Sequence, residues 1–372
     1  MTPPRIVHTD CLLYRGSMPC EPHKATGQLC EDCPHYRPLS QRILIVKLGA
    51  MGDVLRTTAL LPDIAARHDR PHVTWLTRAE SVELLAGNPL IQRVVTTAEA
   101  GTLGAVEFDA LYALDSGADA LAYAQSVRTA AYHGFVAGKF GTCTGVAPGG
   151  DPALFEMGLW DDLKRANRRS YLELLGASAG IEYSLGRPHV PLDPAELLRA
   201  EEFARDLPRP LIGINTDAGD RWERKNWNPE HIAAFVELAR NDGASVMLFG
   251  GVPVRERNRL LAASFPDRVA AFESAGNVRR LIAGIAQCDA LLTGDTLAMH
   301  IAWGLDVPTA VLFGPTSLHE IDLDARSVKM AAQELPCLAC YLKTCDVDPH
   351  CMDRLLPADV YDRVREVLAA AR

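Results

Sequence analysis

A glycine-containing turn places an acidic residue directly after an apolar segment near the start of the chain. Residues 42–48 form an apolar run of strand length, and Gly49-Ala50-Met51-Gly52-Asp53 follows it. The two glycines permit a tight turn from strand to helix and the close approach of a ligand. Asp53 then has two interpretations: a carboxylate that acts as a general base in a cleft, or the N-cap of the following helix, a position that Asp favours.

A polar loop with cations and tryptophans follows another apolar segment. Residues 215–227 read NTDAGDRWERKNW, directly after the apolar residues 211–214. At the carboxyl end of a strand, Lys225 would neutralise negative charge on a phosphate leaving group. A solvated surface loop is the alternative, but Trp222 and Trp227 favour ligand binding or burial.

A third turn from strand to helix carries Asp295, Thr296 and His300. Backbone N–H groups at the start of a helix bind pyrophosphate well. His300 lies one helical turn after Thr296, on the same face, which favours a role at the same site over a purely structural histidine. The segment Leu312-Phe313-Gly314-Pro315-Thr316 is a further switch from strand to loop and is a weak signal alone.

Eight of the ten cysteines lie near the two ends of the chain. Cysteine clusters in a reducing cytoplasm favour metal binding over disulfides. We predict a structural Zn or Fe ion on thiolates, with the head and tail sets forming two sites or one mixed site; unconnected thiols are the alternative. The head set is Cys11, Cys20, Cys30 and Cys33, with His23 and His35 nearby, and the tail set is Cys337, Cys340, Cys345 and Cys351.

The elements that must position these residues alternate between strand-length apolar segments and helical stretches. Strands are predicted at 42–48, 73–77, 93–97, 110–115 and 130–135, and again at 211–216, 245–250, 290–293 and 309–313. Helices are predicted from Asp53 onward and at 231–241, 255–264 and 278–287. This alternation predicts two βαβ domains with parallel sheets and a ligand cleft at the carboxyl ends of the strands.

Composition indicates where these domains begin and end. Residues 1–40 are polar and rich in Cys, Pro and His, so we predict a metal-binding segment that cannot bury much surface by itself. The predicted domains cover residues 41–195 and 208–335, on either side of a proline-containing linker region. Residues 336–372 are predicted to form a cysteine-rich tail and a C-terminal helix.

Charge and hydropathy exclude several classes of protein. The 372 residues include 38 Lys and Arg and 47 Asp and Glu, which gives a formal charge of −9. An acidic chain disfavours duplex nucleic acid as a partner. There is no secretory signal pattern and no run of ~18 apolar residues, so we expect no transmembrane segment and a cytoplasmic location.

Together, these motifs resemble glycosyltransferase family 9, the bacterial heptosyltransferases. The matching text is Ile43 to Asp53, Arg221 to Trp227 and Asp295 to Thr316, and the resemblance extends over about residues 42–335. It implies a GT-B fold, in which two Rossmann-like α/β domains face each other across a cleft. The acceptor lies mostly on the first domain and the nucleotide sugar on the second. It also implies inverting transfer of a heptose from ADP-heptose, without a catalytic metal.

The resemblance assigns roles to individual residues. Asp53 is implied to be the general base, which favours the first of its two interpretations over the N-cap, and Lys225 is implied to stabilise the departing diphosphate. The family usually has glycine after the Asp-Thr pair, and Leu297 here changes the sugar pocket. The implied substrate-binding residues are Thr216, Lys225, Glu256, Asp295, Thr296, Leu297 and His300, of which Glu256 is the loosest match.

The acceptor is open at the level of the sequence. The family default is the lipopolysaccharide core, and a protein or a secondary metabolite is the alternative. The basic run at residues 164–169 fits peripheral contact with the inner face of the inner membrane, or a solvated helix face. A competing interpretation is a non-catalytic, metal-dependent binding module on the same fold. Related autotransporter heptosyltransferases have an iron-binding finger whose cysteine spacings differ from those here. The resemblance therefore makes iron a candidate for the metal.

Overall fold

The structure, a computed structural model, describes residues 5–219, 223–274 and 276–370. The strands in this part of the chain are β1 Gln41–Val46, β2 Pro71–Thr77, β3 Arg93–Thr96, β4 Glu107–Ala113, β5 Arg128–Ala137, β6 Cys143–Val146, β7 Leu211–Asn215, β8 Ser245–Phe249, β9 Val269–Ala271, β10 Ala290–Gly294, β11 Thr309–Phe313 and β12 Val328–Ala331. The helices are α1 Glu21–Thr26, α2 Met51–Thr57, α3 Leu61–Ala65, α4 Val82–Leu85, α5 Ala118–Gln125, α6 Ala153–Met157, α7 Asp161–Ala166, α8 Tyr171–Ser178, α9 Pro194–Ala204, α10 Pro229–Asn241, α11 Arg255–Ser264, α12 Val278–Ile285, α13 Leu297–Gly304 and α14 Pro357–Ala370.

The first sheet has the strand order β3-β2-β1-β4-β5-β6. Strands β1 to β5 pair in parallel, whereas β6 turns back antiparallel to β5. From Ile43 onward, the central strand β1 is apolar because helices cover both faces of the sheet: Ile43, Leu44 and Ile45 are all fully buried. The strand ends at Val46, so Lys47 and the glycine turn lie at the carboxyl edge of the sheet.

The second sheet has the strand order β12-β11-β10-β7-β8-β9, and its described pairs are all parallel. Helix α14 packs behind it, where the Tyr361 hydroxyl donates to Asp242 Oδ2 at 2.9 Å. The carboxyl ends of β7 and β10 lead to the loops that carry Lys225 and Asp295. Both predicted βαβ series are therefore confirmed as α/β sheets.

Sequence reasoning missed three strands: β6, β9 and β12. They are three or four residues long and lie at or next to the edges of their sheets. The side chains of β12 are all half-buried, so that strand shows neither a continuous apolar run nor a clean alternation. The linker region contains helix α9, whose Ala200 is fully buried in a cluster that includes Leu211 and Ile282 of the second domain.

The head segment, residues 5–40, has no buried residue in the part that the structure describes. Its two ends are joined by backbone hydrogen bonds from Leu12 N to Arg37 O at 2.8 Å and from Leu39 N to Asp10 O at 2.8 Å. It continues into the amino end of β1, where Ser40 N donates to Arg70 O at 3.5 Å. The segment thus has no apolar core of its own.

Within residues 5–219, 223–274 and 276–370, no helix combines the length and the apolar character needed to cross a membrane.

Candidate active site in the interdomain cleft

A cleft of about 1330 Å³ lies between the carboxyl edges of the two sheets. Both domains contribute charged side chains to its walls. The first domain supplies Asp53, Arg56 and Lys164, and the second supplies Lys225, Asp295, His300 and Glu320. The structure therefore brings six of the sequence-predicted residues into one cavity: Asp53, Lys225, Asp295, Thr296, Leu297 and His300.

Asp53 lies in the first turn of α2, but it is not the cap. Helix α2 begins at Met51, its N-cap position is Ala50, and no side chain caps it, so the capping interpretation is wrong. Asp53 Oδ1 accepts a hydrogen bond from Arg56 Nη2 at 2.6 Å. The Asp53 side chain keeps 36% of its surface exposed, so a substrate can reach the carboxylate.

The charges around Asp53 keep it ionised. Burial would raise the pKa of Asp53, but Arg56, Lys47 and His300 together lower it below its usual range. Arg56 is held in place because its guanidinium lies 3.6 Å from the centroid of the Tyr171 ring. Arg56 was not among the predicted residues, although its i+3 spacing from Asp53 is a signal that could have found it.

Lys47 is a buried cation near the Asp53–Arg56 pair. Its Nζ donates to Leu114 O at 2.9 Å and to the Tyr171 hydroxyl at 2.8 Å, and it lies 4.0 Å from Asp115 Oδ2. Burial would lower the pKa of Lys47, but the charges of Tyr171, Asp115 and Asp53 raise it above its usual value. Lys47 therefore stays charged and contributes positive potential below Asp53.

The two domains touch where α2 lies against α13. A Cβ atom built on Gly52 would lie 3.1 Å from His300 Cδ2 and 3.6 Å from Leu297 Cα. The missing side chain at Gly52 lets the start of α2 approach α13 closely. As a result, the base candidate of the first domain and the helix start of the second domain share one end of the cleft.

On the side of the second domain, Lys225 and Asp295 form an ion pair at the start of α13. Lys225 Nζ donates to Asp295 Oδ2 at 2.8 Å and to Asp295 O at 3.1 Å. Both side chains are mostly buried, with 14% and 17% of their surface exposed. Burial would raise the pKa of Asp295, but Lys225, His300 and Arg56 lower it. Thr296 is the N-cap residue, so the first N–H groups of α13 lie beside the Lys225 ammonium.

An asparagine that sequence reasoning missed organises the same helix start. Asn215 Nδ2 donates to Thr296 Oγ1 at 3.2 Å and to Thr293 Oγ1 at 3.3 Å. Asn215 is the last residue of β7 and lines the cleft. Its place at the carboxyl end of a buried strand, one residue before the predicted Thr216, is the signal that was available.

The structure does not bring Thr216 and Glu256 to the walls of the cleft. Thr216 is buried, and its hydroxyl is engaged with Phe249 O at 3.0 Å and Asn258 Oδ1 at 2.9 Å. Glu256 is exposed in the first turn of α11. Gly250 and Gly251, just before that helix, line the cleft instead.

The loop that carries Lys225 includes residues outside the part of the chain that the structure describes. Arg221 and Trp222, which belong to the predicted motif, lie outside the described residues. Trp227 is buried, as one of the two interpretations expected, and its Nε1 donates to Leu355 O at 2.9 Å. Trp227 thus anchors the segment before α14 to the second domain.

The four head cysteines border one cavity of about 250 Å³, together with His23 and His35. In the tail, burial raises the pKa of Cys351 to about 11, with further contributions from the thiols of Cys340, Cys345 and Cys337, so these thiols are neighbours. Even so, the described residues include no group of three or more His, Cys, Asp or Glu side chains arranged to hold a metal ion. The arrangement of the thiols therefore does not support the predicted metal sites.

The two cysteine sets also have different anchors. The head continues into the amino end of the first sheet, whereas the tail packs on the loop after β11, at the carboxyl edge of the second sheet. These anchors do not favour a mixed site. Cys288 is buried, as expected for a thiol that serves as a small apolar residue.

Comparison with known proteins identifies relatives of this chain. The sequence model of glycosyltransferase family 9 (heptosyltransferase) matches residues 166–350. Lipopolysaccharide heptosyltransferase 1 of Pseudomonas aeruginosa is 34% identical over 140 residues, which is 37% of this chain and 39% of that protein. The chain thus spans about two fifths of the length of this curated relative.

Solved structures share the fold over most of the chain. A family 9 glycosyltransferase from Veillonella parvula superposes with a TM-score of 0.65, at 16% identity, over 89% of this chain and 98% of its own. The ADP-heptose LPS heptosyltransferase II of E. coli gives a TM-score of 0.63, at 17% identity, over 89% and 99%. At these identities the likeness shows the fold, two α/β domains of the GT-B type.

The buried His300 predicts an acid-sensitive stability. Burial and the charge of Arg56 lower the pKa of His300 to about 4, and only 5% of the residue is exposed. The unfolded chain takes up a proton below pH ~6.5, whereas the folded chain does so only near pH 4. The stability that neutral His300 contributes is therefore complete above pH 6.5 and falls by about 3 kcal/mol as the pH drops to 4.

Denaturant unfolding between pH 7 and pH 4 measures this loss. In His300→Asn the free energy of unfolding should fall less steeply with pH than in the unmodified protein, because asparagine does not titrate. His35→Asn, at an exposed position, is the matched control and should keep the original slope. Equal slopes in the unmodified protein and His300→Asn would contradict the prediction.

Proposed function

The chain belongs to glycosyltransferase family 9, and from this premise we propose that it transfers a heptose from ADP-heptose to an acceptor hydroxyl with inversion. The observation that carries the proposal is the convergence, in one cleft, of a partly exposed carboxylate from the first domain and a Lys–Asp pair at a helix start from the second. Its relatives by sequence, named as lipopolysaccharide heptosyltransferases, support the same activity.

The donor diphosphate would lie at the start of α13. The first N–H groups of that helix favour an anion. Lys225 is fixed 2.8 Å from Asp295 and so keeps its ammonium at the same place. When the glycosidic bond breaks, its electron pair passes to the diphosphate oxygen. Lys225 stabilises the charge that develops there, without a metal in this step.

The acceptor hydroxyl would be activated by Asp53. Because its pKa is lowered, Asp53 is ionised at neutral pH and ready to accept a proton, but it is a weak base. We infer that the proton moves to Asp53 as the acceptor oxygen bonds to the anomeric carbon and becomes more acidic. Attack from the face opposite to the leaving diphosphate inverts that carbon. Arg56 orients the carboxylate throughout through its 2.6 Å hydrogen bond.

The acceptor class that fits this site best is an anionic glycolipid, the lipopolysaccharide core. In the basic run at 164–169, Lys164 lines the cleft, while Arg165 and Arg168 are exposed. The run therefore reaches from the surface of α7 into the cleft instead of being only a solvated helix face. Positive charge along this route would attract the phosphates or carboxylates of the acceptor. We propose that the transfer takes place at the inner face of the inner membrane.

The first test of this proposal is the substitution Asp53→Asn. Asparagine keeps the size and the hydrogen-bonding oxygen but not the basicity, so turnover should fall by about 100-fold or more with little change in folding. The assay follows ADP release from ADP-heptose in the presence of heptose-deficient lipopolysaccharide. The matched control is Asp63→Asn, because Asp63 accepts a hydrogen bond from Ser184 N on the surface of the same domain. Turnover of Asp53→Asn close to that of the control would contradict the role of Asp53.

We also propose that the tail cysteines bind one structural metal ion, Zn or Fe. The proposal is supported by the spacing of Cys337, Cys340, Cys345 and Cys351 and by the proximity of their thiols to one another. The described side chains are not themselves arranged as a metal site. Four protein ligands would leave no open position for a substrate, so the ion would stabilise the tail without taking part in transfer.

Elemental analysis of the purified protein tests this second proposal. We expect about one tightly bound metal ion for the tail, with metal content and melting temperature falling together in Cys340→Ser. Cys143→Ser, at a cysteine outside both sets, should change neither the metal content nor the melting temperature. A metal-free preparation that is fully stable and active would show the proposal to be wrong.

A further inference from the structure

The cysteine-rich tail places one aromatic residue in the cleft. Tyr341 lies between Cys340 and Cys345 in the sequence, yet it lines the cavity that contains Asp53 and Asp295. The tail backbone is fastened to the loop after β11: Tyr341 N donates to Pro315 O at 2.8 Å, and Ala339 N donates to Gly314 O at 3.3 Å.

The backbone at this point is in an unusual conformation. Ala339 has a φ of 59° and Tyr341 a φ of 54°, a left-handed region that residues other than glycine seldom adopt. Such residues persist where the surrounding structure fixes them, and they concentrate at functional sites. Cys351, later in the same tail, also lies close to the loop after β11: a Cβ atom built on Gly314 would lie 2.8 Å from Cys351 Sγ.

The Tyr341 side chain joins a polar network along the wall of the cleft. Its hydroxyl donates to Glu320 Oε1 at 2.6 Å and accepts from Ser317 N at 3.1 Å. From the first domain, Lys164 Nζ lies 4.5 Å from the centroid of the Tyr341 ring. Glu320, Ser317 and Lys164 all line the same cavity. The network therefore connects the tail with both domains at the cleft.

A buried hydroxyl beside this network points to a ligand. Thr316 lines the cleft and is only 7% exposed, and its Oγ1 has no hydrogen-bond partner among the described residues. A buried polar atom without a partner is costly, and such atoms in folded proteins usually have an explanation, such as a bound molecule. Asp295 at the donor helix lies within electrostatic reach of both Glu320 and Tyr341, which places the network on the donor side of the cleft.

We propose that Tyr341, Glu320 and Thr316 form the end of the donor pocket that reads the hydroxyl groups of the transferred sugar. A carboxylate accepts from sugar hydroxyls, and the hydroxyls of Tyr and Thr both donate and accept, which suits a polyhydroxylated ring and its side chain. Tyr341 is then a specificity residue that touches the substrate and is supplied by the cysteine-rich tail. This inference rests on the proposed function, because it presupposes a nucleotide-sugar donor in the cleft.

Calorimetric titration with ADP-heptose and with ADP, both without an acceptor, tests the proposal. Tyr341→Phe removes only the hydroxyl and should weaken the binding of ADP-heptose about three- to tenfold while changing that of ADP less than about twofold. Glu320→Gln, which keeps the shape of the side chain, should show the same pattern. Tyr361→Phe is the matched control, since the Tyr361 hydroxyl bonds to Asp242 behind the second sheet, and it should leave both affinities unchanged.

The outcomes separate the subsite from the function on which it rests. Loss of ADP-heptose affinity with retained ADP affinity, in variants whose melting temperature is close to that of the unmodified protein, supports the subsite. The subsite would be overturned, with the proposed function left standing, if the variants lost affinity for ADP-heptose and for ADP equally. The same holds if neither Tyr341→Phe nor Glu320→Gln lost affinity for ADP-heptose. If the unmodified protein binds neither ADP nor ADP-heptose, the proposed function fails and the subsite with it.

Discussion

The close contact between helices α2 and α13 at Gly52 is the constraint on which the rest of the site depends. Each helix starts at the carboxyl edge of its own sheet. Side chains on the two helix starts can therefore face the same substrate only if the two edges lie close together. A side chain at position 52 would press against His300, since its Cβ would come within 3.1 Å of the imidazole. With glycine there, Asp53 and Asp295 lie within electrostatic reach of the same histidine.

That contact brings together charged groups that each domain already pairs by itself. Asp53 is held by Arg56 at 2.6 Å, Asp295 is held by Lys225 at 2.8 Å, and Lys47 lies buried below. Each pair satisfies its own charge before any substrate binds, which offsets the cost of removing the groups from water. An anionic donor and a hydroxyl acceptor would then meet side chains that are already oriented, and such preorganisation is what makes electrostatic stabilisation effective.

Most of this arrangement could be predicted from the sequence because it lies at the carboxyl ends of buried parallel strands. Asp53, Lys225, Asp295 and His300 each follow an apolar run of strand length, and parallel sheets place such positions at one edge. Tyr341 could not be predicted, because its position depends on how the tail packs against residues 314–315, and the local sequence pattern contains no sign of that contact. Glu256 failed for a related reason: its position in α11 fits the motif, but the helix turns that face to solvent.

The central claim, that the interdomain cleft binds an adenosine-diphosphate heptose, is tested most directly by thermal unfolding with a panel of nucleotide sugars. A ligand that binds only the folded state raises the melting temperature according to its concentration and affinity. ADP-heptose should raise it more than ADP does, and more than UDP-glucose or GDP-mannose at the same concentration. A panel in which no nucleotide sugar raises the melting temperature, or in which a UDP- or GDP-sugar gives the largest rise, would contradict the claim.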